Sequence, residues 1–63
     1  MDKKEKILRL LKVMGMVSIS RIAHEIKSDI WMAKKYIEDL EREKKVKKIQ
    51  TPNATYWELK KWS

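Results

Sequence analysis

Residues 18–49 read SISRIAHEIKSDIWMAKKYIEDLEREKKVKKI, and this stretch decides the fold. Ser18 can cap a helix whose apolar positions recur every three or four residues until the polar break KSD. A second apolar period starts at Ile30, and either the serine or the aspartate of that break can cap the helix it predicts. We therefore predict helices over residues 19–26 and 30–43, joined by a turn of about three residues, which is the spacing of a helix-turn-helix.

The flanking segments complete the order of elements. Asp2 and Glu5 form a capping-box pattern, and the apolar periodicity that follows reaches Gly15, which predicts a helix over residues 3–14. A short extended link then leads to the second helix. Residues 46–59, VKKIQTPNATYWEL, place β-branched and aromatic residues on both sides of a Pro-Asn-Ala turn, which predicts a β-hairpin.

The two strands of this hairpin differ in how well the sequence defines their faces. Thr55, Trp57 and Leu59 alternate along the second strand and share one face. In the first strand Lys47 and Lys48 are adjacent, so neither face is purely apolar. The register of the hairpin is therefore left open.

The order helix, short strand, helix, turn, helix, hairpin resembles the winged helix-turn-helix superfamily, and the resemblance extends to residues. IAHEI, KSD and WMAKKYIEDLEREKKVKKI are similar to the family's capped second helix, turn and recognition helix followed by a strand. The positions that this family keeps in its core are Ile22, Ala23, Ile26, Ala33, Ile37, Leu40 and Val46. The resemblance implies one domain over residues 1–63 with an α+β, mainly α, fold: a three-helix winged helix-turn-helix with a C-terminal β-hairpin wing.

The resemblance also implies a function. Members of this superfamily include small archaeal, viral and bacterial transcription regulators that bind double-stranded DNA. By analogy, helix 30–43 is expected in the major groove and wing 46–59 on the neighbouring backbone.

The charge of the chain agrees with a polyanionic partner. Sixteen basic residues against nine acidic ones give a net charge of +7, and the isoelectric point is near 9.8. Residues 44–63 carry six basic residues and one acid. A lysine-rich surface that only confers solubility is the alternative.

The distribution of charge along helix 30–43 predicts which end of this helix faces DNA. Trp31, Lys34 and Lys35 lie in its N-terminal half, whereas its acids lie toward the C-terminal end, where phosphates would repel them. Trp31 can contact thymine methyl groups, or it can pack on the turn or in a dimer contact. The predicted DNA-binding residues are Ser28, Ile30, Trp31, Lys34, Lys35, Lys45, Lys47, Lys48, Gln50 and Asn53. Three further side chains are given structural roles: Tyr36 and Trp57 at the core or its boundary, and His24 on the surface.

A narrower resemblance concerns the wing. TPNATYWEL is similar to the wing of winged-helix domains that bind Z-form nucleic acid, with Pro52 and Trp57 near the matching positions. However, Lys34 stands where that family has an asparagine, and Glu38 stands where it has an essential tyrosine. The recognition helix departs from that pattern, so Z-form binding is not expected.

Other functional classes find little support in the sequence. Without cysteine, and with one histidine and one glycine, the chain offers no metal site, cofactor site or catalytic constellation, so neither an enzyme nor a small-molecule binder is expected. No apolar segment approaches the roughly 20 residues that span a bilayer, and residues 1–10 lack a signal-peptide pattern. We expect a cytoplasmic protein, associated with the nucleoid or present in a host cell's cytoplasm.

Two alternatives stay open at this stage. A winged-helix module can instead bind protein as an adaptor, and exposed Trp31 and Trp62 would fit that role. If the chain binds DNA, a homodimer on a palindromic site is the alternative to a monomer, since one small domain reads only a few base pairs. Helix 3–14 or the tail around Trp62 is the predicted dimer surface.

Overall fold

The computed structural model describes residues 2–60 and confirms the predicted order of elements. The helices and strands are α1 Lys3–Met14, β1 Val17–Ser18, α2 Ile19–Glu25, α3 Ile30–Arg42, β2 Val46–Gln50 and β3 Thr55–Leu59. The second and third helices each end one residue earlier than predicted, because Ile26 and Glu43 are C-cap residues. Trp62 lies outside the described residues.

Each helix begins at a side chain that accepts a hydrogen bond from the first turn. Asp2 accepts from the Lys4 N–H at 3.0 Å, although no side-chain hydrogen bond from Glu5 completes the predicted capping box among residues 2–60. Ser18 caps α2. The open choice for α3 is settled by Asp29, whose carboxylate accepts from Met32 N–H at 2.7 Å. Such a cap typically contributes about 1 kcal/mol.

Helices α2 and α3 end in the same way, with a lysine in the left-handed region. Lys27 has φ of 57° and Lys44 has φ of 64°. The N–H of each lysine and the N–H of the residue after it donate hydrogen bonds to carbonyls in the last turn of the helix. This is the Schellman pattern. Glycine is the usual residue at such a position because a Cβ atom is disfavoured there. Gly15 ends α1 with φ of 87°.

The three strands form one antiparallel sheet in the order β1-β3-β2. Trp57 of β3 pairs with Val17 on one side and with Lys48 on the other. Because side chains alternate along a strand, Lys48 lies on the sheet face that carries buried Trp57, and Lys47 lies on the opposite face. The structure thereby settles the register that the adjacent lysines had left open.

The core lies between the helices and the inner face of the sheet. All seven positions that the resemblance assigned to the core are buried, which confirms that prediction. The other buried side chains of the described part of the chain are Ile7, Leu11, Val17 and Trp57. Tyr36 packs at the edge of the core and His24 is exposed, as predicted.

An ion pair joins the start of α1 to the end of α3. The Lys4 ammonium lies 2.6 Å from a Glu43 carboxylate oxygen. This hydrogen bond is the main reason that the pKa of Glu43 is lowered and the pKa of Lys4 is raised from their usual values. Both groups are in contact with solvent, so the pair is open to screening by salt.

The residues with positive φ that end the helices predict opposite effects of two substitutions on stability. Lys27→Gly should raise the free energy of unfolding by roughly 0.5–1 kcal/mol, because glycine removes the cost of a Cβ at positive φ. Gly15→Ala should lower it by about 1 kcal/mol or more; the added Cβ would meet nothing within 4 Å, so the cost is that of the backbone alone. Urea denaturation of both variants measures the two changes. Stabilisation by Gly15→Ala would contradict the assigned backbone conformation.

The Lys4–Glu43 pair predicts a stability contribution limited to intermediate pH. A lowered carboxyl pKa stabilises the fold above its usual value of 4.5, and this contribution is lost as pH falls through the folded value. A raised ammonium pKa stabilises the fold below 10.5, and this contribution is lost as pH rises through the folded value. A double-mutant cycle with Lys4→Met and Glu43→Gln should therefore show coupling near neutral pH. Coupling that persists unchanged at both pH extremes would refute the pairing.

Candidate nucleic-acid interface

A groove lies where the starts of α2 and α3 face the inner side of the wing. Its volume is about 260 Å³, and its lining combines two lysines with apolar side chains. The lining residues are Ile19, Ile30, Lys34, Lys48, Thr55 and Trp57. The fold therefore brings one lysine of the recognition helix and one lysine of the wing to the same side of the molecule.

Trp57 supports the wing lysine in this groove. Its side chain is 5% exposed, and the Lys48 ammonium lies 5.9 Å from the centre of its ring system. This distance is within the range in which a cation is attracted to an aromatic face. The buried indole thus provides a fixed surface beneath a lysine whose own side chain is exposed.

A second aromatic and cationic pair stands on the outer face of α3. Trp31 is 65% exposed, and the Lys35 ammonium lies 4.6 Å from its ring centre. The two residues are four positions apart and therefore neighbours on the helix surface. Trp31 does not pack on the turn as a buried residue, so this apolar surface is available to a partner.

The basic groups at this end of α3 are not neutralised by acids. Among residues 2–60, no ion pair involves Lys34, Lys35 or Lys48, and the groove lining contains no acid. Farther along α3, Asp39 pairs with Arg42 at 3.2 Å. The N-terminal end of a helix also carries a partial positive charge, which adds to that of the lysines.

Several predicted DNA-binding residues lie away from the groove. Lys47 is on the opposite sheet face and pairs with Glu58 at 3.3 Å. Lys45 lies at the corner between α3 and β2, 3.6 Å from Glu43. Their contact with DNA remains a prediction that the geometry favours less than contact by Lys48.

Four further residues were predicted to bind DNA, and of these only Ile30 lines the groove. Gln50 is exposed and paired with Thr55 at the far end of β2, and Asn53 is exposed in the hairpin turn. Ser28 precedes α3, and its hydroxyl accepts a hydrogen bond from the Lys3 ammonium at 2.7 Å. Ile30 lines the groove and is 52% exposed.

Sequence reasoning did not assign Ile19, Thr55 or Trp57 to this groove. Ile19 belongs to the apolar period of α2, and that period alone does not indicate a binding role. Thr55 could have been predicted, because it shares a strand face with Trp57 and is the first residue of β3 after the hairpin turn. The pairing of Lys48 with Trp57, which completes the site, depends on a register that the sequence did not define.

This arrangement of three helices, a three-stranded sheet and a hairpin wing defines a winged helix-turn-helix domain. Residues 3–61 match the family model described as FaeA-like protein. The chain therefore belongs to the FaeA-like protein family. A search of curated protein sequences gave no match.

Two kinds of protein are among the solved structures with the same fold. The Zα domain of PKZ from Carassius auratus, in complex with Z-DNA, is 24% identical, with 90% of each chain covered and a TM-score of 0.83. The apo Zα domain of zebrafish PKZ is 22% identical, with 92% of this chain and 91% of that chain covered and a TM-score of 0.85. A Lactococcus lactis ZitR variant in complex with DNA is 22% identical, with 95% of this chain but 42% of ZitR covered and a TM-score of 0.86. At these identities the similarity establishes the fold.

Within residues 2–60, no helix has both the length and the apolar character that are required to cross a membrane.

Proposed function

We propose that this protein binds double-stranded DNA as a transcription regulator, with the N-terminal half of α3 in the major groove and the wing on the adjacent backbone. The observation that carries this proposal is the groove in which Lys34 and Lys48, neither of which forms an ion pair within residues 2–60, face the same side. Such a protein would act in the cytoplasm, on the nucleoid or on the DNA of a host cell.

The geometry suits entry by the N-terminal end of α3. A major groove about 12 Å wide admits one helix, and side chains of the first turns reach base edges most readily. Lys34 and Lys35 would contact phosphates or base edges, while exposed Trp31 and Ile30 offer apolar surface to thymine methyl groups. Lys48 would reach the DNA backbone beside the major groove, where the resemblance to the winged helix-turn-helix superfamily places the wing.

The solved neighbours add support of a general kind. One of them is in complex with Z-DNA and another is in complex with DNA, so this fold supports DNA binding in both proteins. In this chain Lys34 and Glu38 depart from the Z-form pattern, and Glu38 is exposed on α3. We therefore propose ordinary right-handed DNA as the ligand.

A dimer would give this small domain enough contacts to select a site. Two copies on a palindrome, with half-sites about one helical turn apart, double the number of base pairs read. The end of α1 presents apolar side chains to solvent, with Val13 84% and Met14 47% exposed. This patch is the surface proposed for pairing.

The DNA proposal predicts a steep dependence on salt and a contrast between neighbouring wing lysines. Fluorescence anisotropy with a random duplex should show at least tenfold weaker binding when salt rises from about 50 to 200 mM. Lys34→Gln and Lys48→Gln should each weaken binding and reduce the slope of log affinity against log salt by about one. Lys47→Gln is the matched control, because its side chain lies on the other sheet face and pairs with Glu58.

Three outcomes would count against this proposal. Equal losses for Lys47→Gln and Lys48→Gln would show that the wrong face of the wing has been assigned. A flat salt response would remove the electrostatic basis. Absence of binding to any duplex at physiological salt would favour the adaptor function, which Trp31 could serve instead.

The proposed dimer predicts a sedimentation mass of two chains at micromolar concentration. Val13→Glu should shift the protein to a monomer, because it places a carboxylate in the contact without disturbing a buried residue. Glu5→Gln changes the charge of α1 by one unit at an exposed position that does not line the pocket shared by Val13 and Met14, and it serves as the control. A monomeric wild-type protein would rule out pairing through α1 under these conditions.

A further inference from the structure

A second groove lies between α1 and the corner where α3 ends and β2 begins. Its volume is about 510 Å³, roughly twice that of the groove proposed for DNA. Two half-buried leucines, Leu8 and Leu59, contribute apolar surface, and all the other lining residues are basic. These basic residues, here called the basic ring, are Arg9, Lys12, Lys44, Lys45 and Lys60.

The charge of the basic ring is largely uncompensated. Among residues 2–60, the only member that forms an ion pair is Lys45, 3.6 Å from Glu43. Glu43 is shared with Lys4, to which it is bound more closely, at 2.6 Å. Four basic side chains therefore surround the leucines without an acidic partner in the described chain.

The backbone holds three members of the basic ring in fixed relation. Lys44 occupies the left-handed region, and its N–H donates to the Glu41 carbonyl at 2.9 Å. The Lys45 N–H donates to the Leu40 carbonyl at 2.9 Å, and the Lys45 carbonyl accepts from the Lys60 N–H at 3.0 Å. The end of α3, the start of β2 and the end of β3 thus meet at one point beside α1.

This groove and the groove proposed for DNA share no lining residue. Lys34 lies near the beginning of the helix and Lys44 lies just beyond its end. These two lysines are ten residues, or about 15 Å, apart along the helix axis, whereas Lys45 of one groove and Lys48 of the other are three residues apart in sequence. The two grooves therefore have different linings that approach each other along the wing.

We propose that the second groove binds an acidic segment of a partner protein that also carries a large apolar side chain. Several carboxylates would meet the basic ring, and the apolar side chain would cover Leu8 and Leu59. Burial of that side chain removes water from around the ion pairs and strengthens them. The proposal does not depend on DNA binding by the other groove.

Duplex DNA suits this groove less well than an acidic peptide does. A peptide can place a few separated carboxylates on the basic ring and away from Glu41 and Glu43, whereas the closely spaced phosphates of a duplex cannot avoid these acids. A duplex is also too wide to enter the groove and would leave the leucines uncovered. A short peptide can place a few carboxylates on the basic ring and insert one side chain between them.

The test uses three fluorescein-labelled synthetic peptides of equal length. The first combines Asp and Glu with one Leu and one Phe, the second replaces those two apolar residues with Ser, and the third replaces the acids with Asn and Gln. Anisotropy at about 150 mM salt should show binding of the first peptide and at least tenfold weaker binding of the other two. Equal binding of the first and second peptides would overturn the proposal, because it would show that charge alone attracts the ligand.

Variants locate the binding to this groove. Lys12→Glu combined with Lys60→Glu changes two exposed side chains of the basic ring and should weaken the first peptide at least tenfold, while affinity for a random duplex changes by less than threefold. Lys34→Glu combined with Lys48→Glu is the matched control in the other groove and should leave the peptide bound. Circular dichroism confirms that both variants fold. Unchanged peptide binding by the first variant, or loss in the control alone, would refute the assignment.

Competition separates the other occupants. The Lys34→Glu and Lys48→Glu variant is loaded with the first peptide and titrated with random duplex or with phosphatidylserine vesicles. Retention of the peptide supports the proposal, whereas displacement by either competitor at similar charge concentration would assign the groove to that competitor. Sedimentation of the free protein tests whether a second copy of the chain occupies the groove. Self-association that the peptide reverses, and that Lys12→Glu combined with Lys60→Glu abolishes, would assign the groove to a second copy.

Discussion

The burial of Trp57 is the constraint on which the geometry of the wing depends. This residue occupies the middle strand of the sheet and pairs with β1 on one side and β2 on the other. Since side chains alternate along a strand, an inward Trp57 requires that Lys48 also face inward and that Lys47 face away. A slip of one residue would expose the indole and exchange the two lysines. The position of positive charge relative to α3 is thus set by an apolar side chain.

The orientation of α3 has a similarly local origin. Lys27 in the left-handed region turns the chain after α2, and Asp29 accepts the N–H of Met32 in the first turn of α3. The Lys3 side chain reaches from α1 to Ser28 in that turn. Ala33 is fully buried, so α3 can approach its neighbours closely. The Asp29 cap, the Lys3–Ser28 hydrogen bond and the burial of Ala33 therefore fix the first turns of α3, while the outer face of this helix remains exposed.

The helical part of the fold could be predicted because its signals are local. Spacing of apolar residues identified the buried positions from Ile22 to Leu40, and polar residues before each period identified the caps. The hairpin was predicted, but the face of each lysine was not, because adjacent Lys47 and Lys48 carry no periodic signal. Their faces follow from pairing with Trp57 and from the contribution of Val17, which is 40 residues earlier in the chain.

The two grooves were harder to predict for the same reason. Each is assembled from elements far apart in sequence, and its members read individually as core or solvated residues. Leu8 is part of a helical period, and Arg9 and Lys12 resemble any charged helix face. Only the packing of α1 against the corner after α3 places these residues beside Lys60.

The acids of α3 influence where positive charge on the surface is left without an acidic partner. Carboxylates in the C-terminal half of a helix oppose its dipole at a cost of a few tenths of a kcal/mol each, so helix stability does not explain them. Asp39 and Glu43 recover part of that cost through Arg42 and Lys4. Asp39 and Glu43 thus compensate positive charge at Arg42 and Lys4. Of the seven basic residues that line the two grooves, only Lys45 forms an ion pair among residues 2–60, so each groove presents positive charge to an anionic ligand.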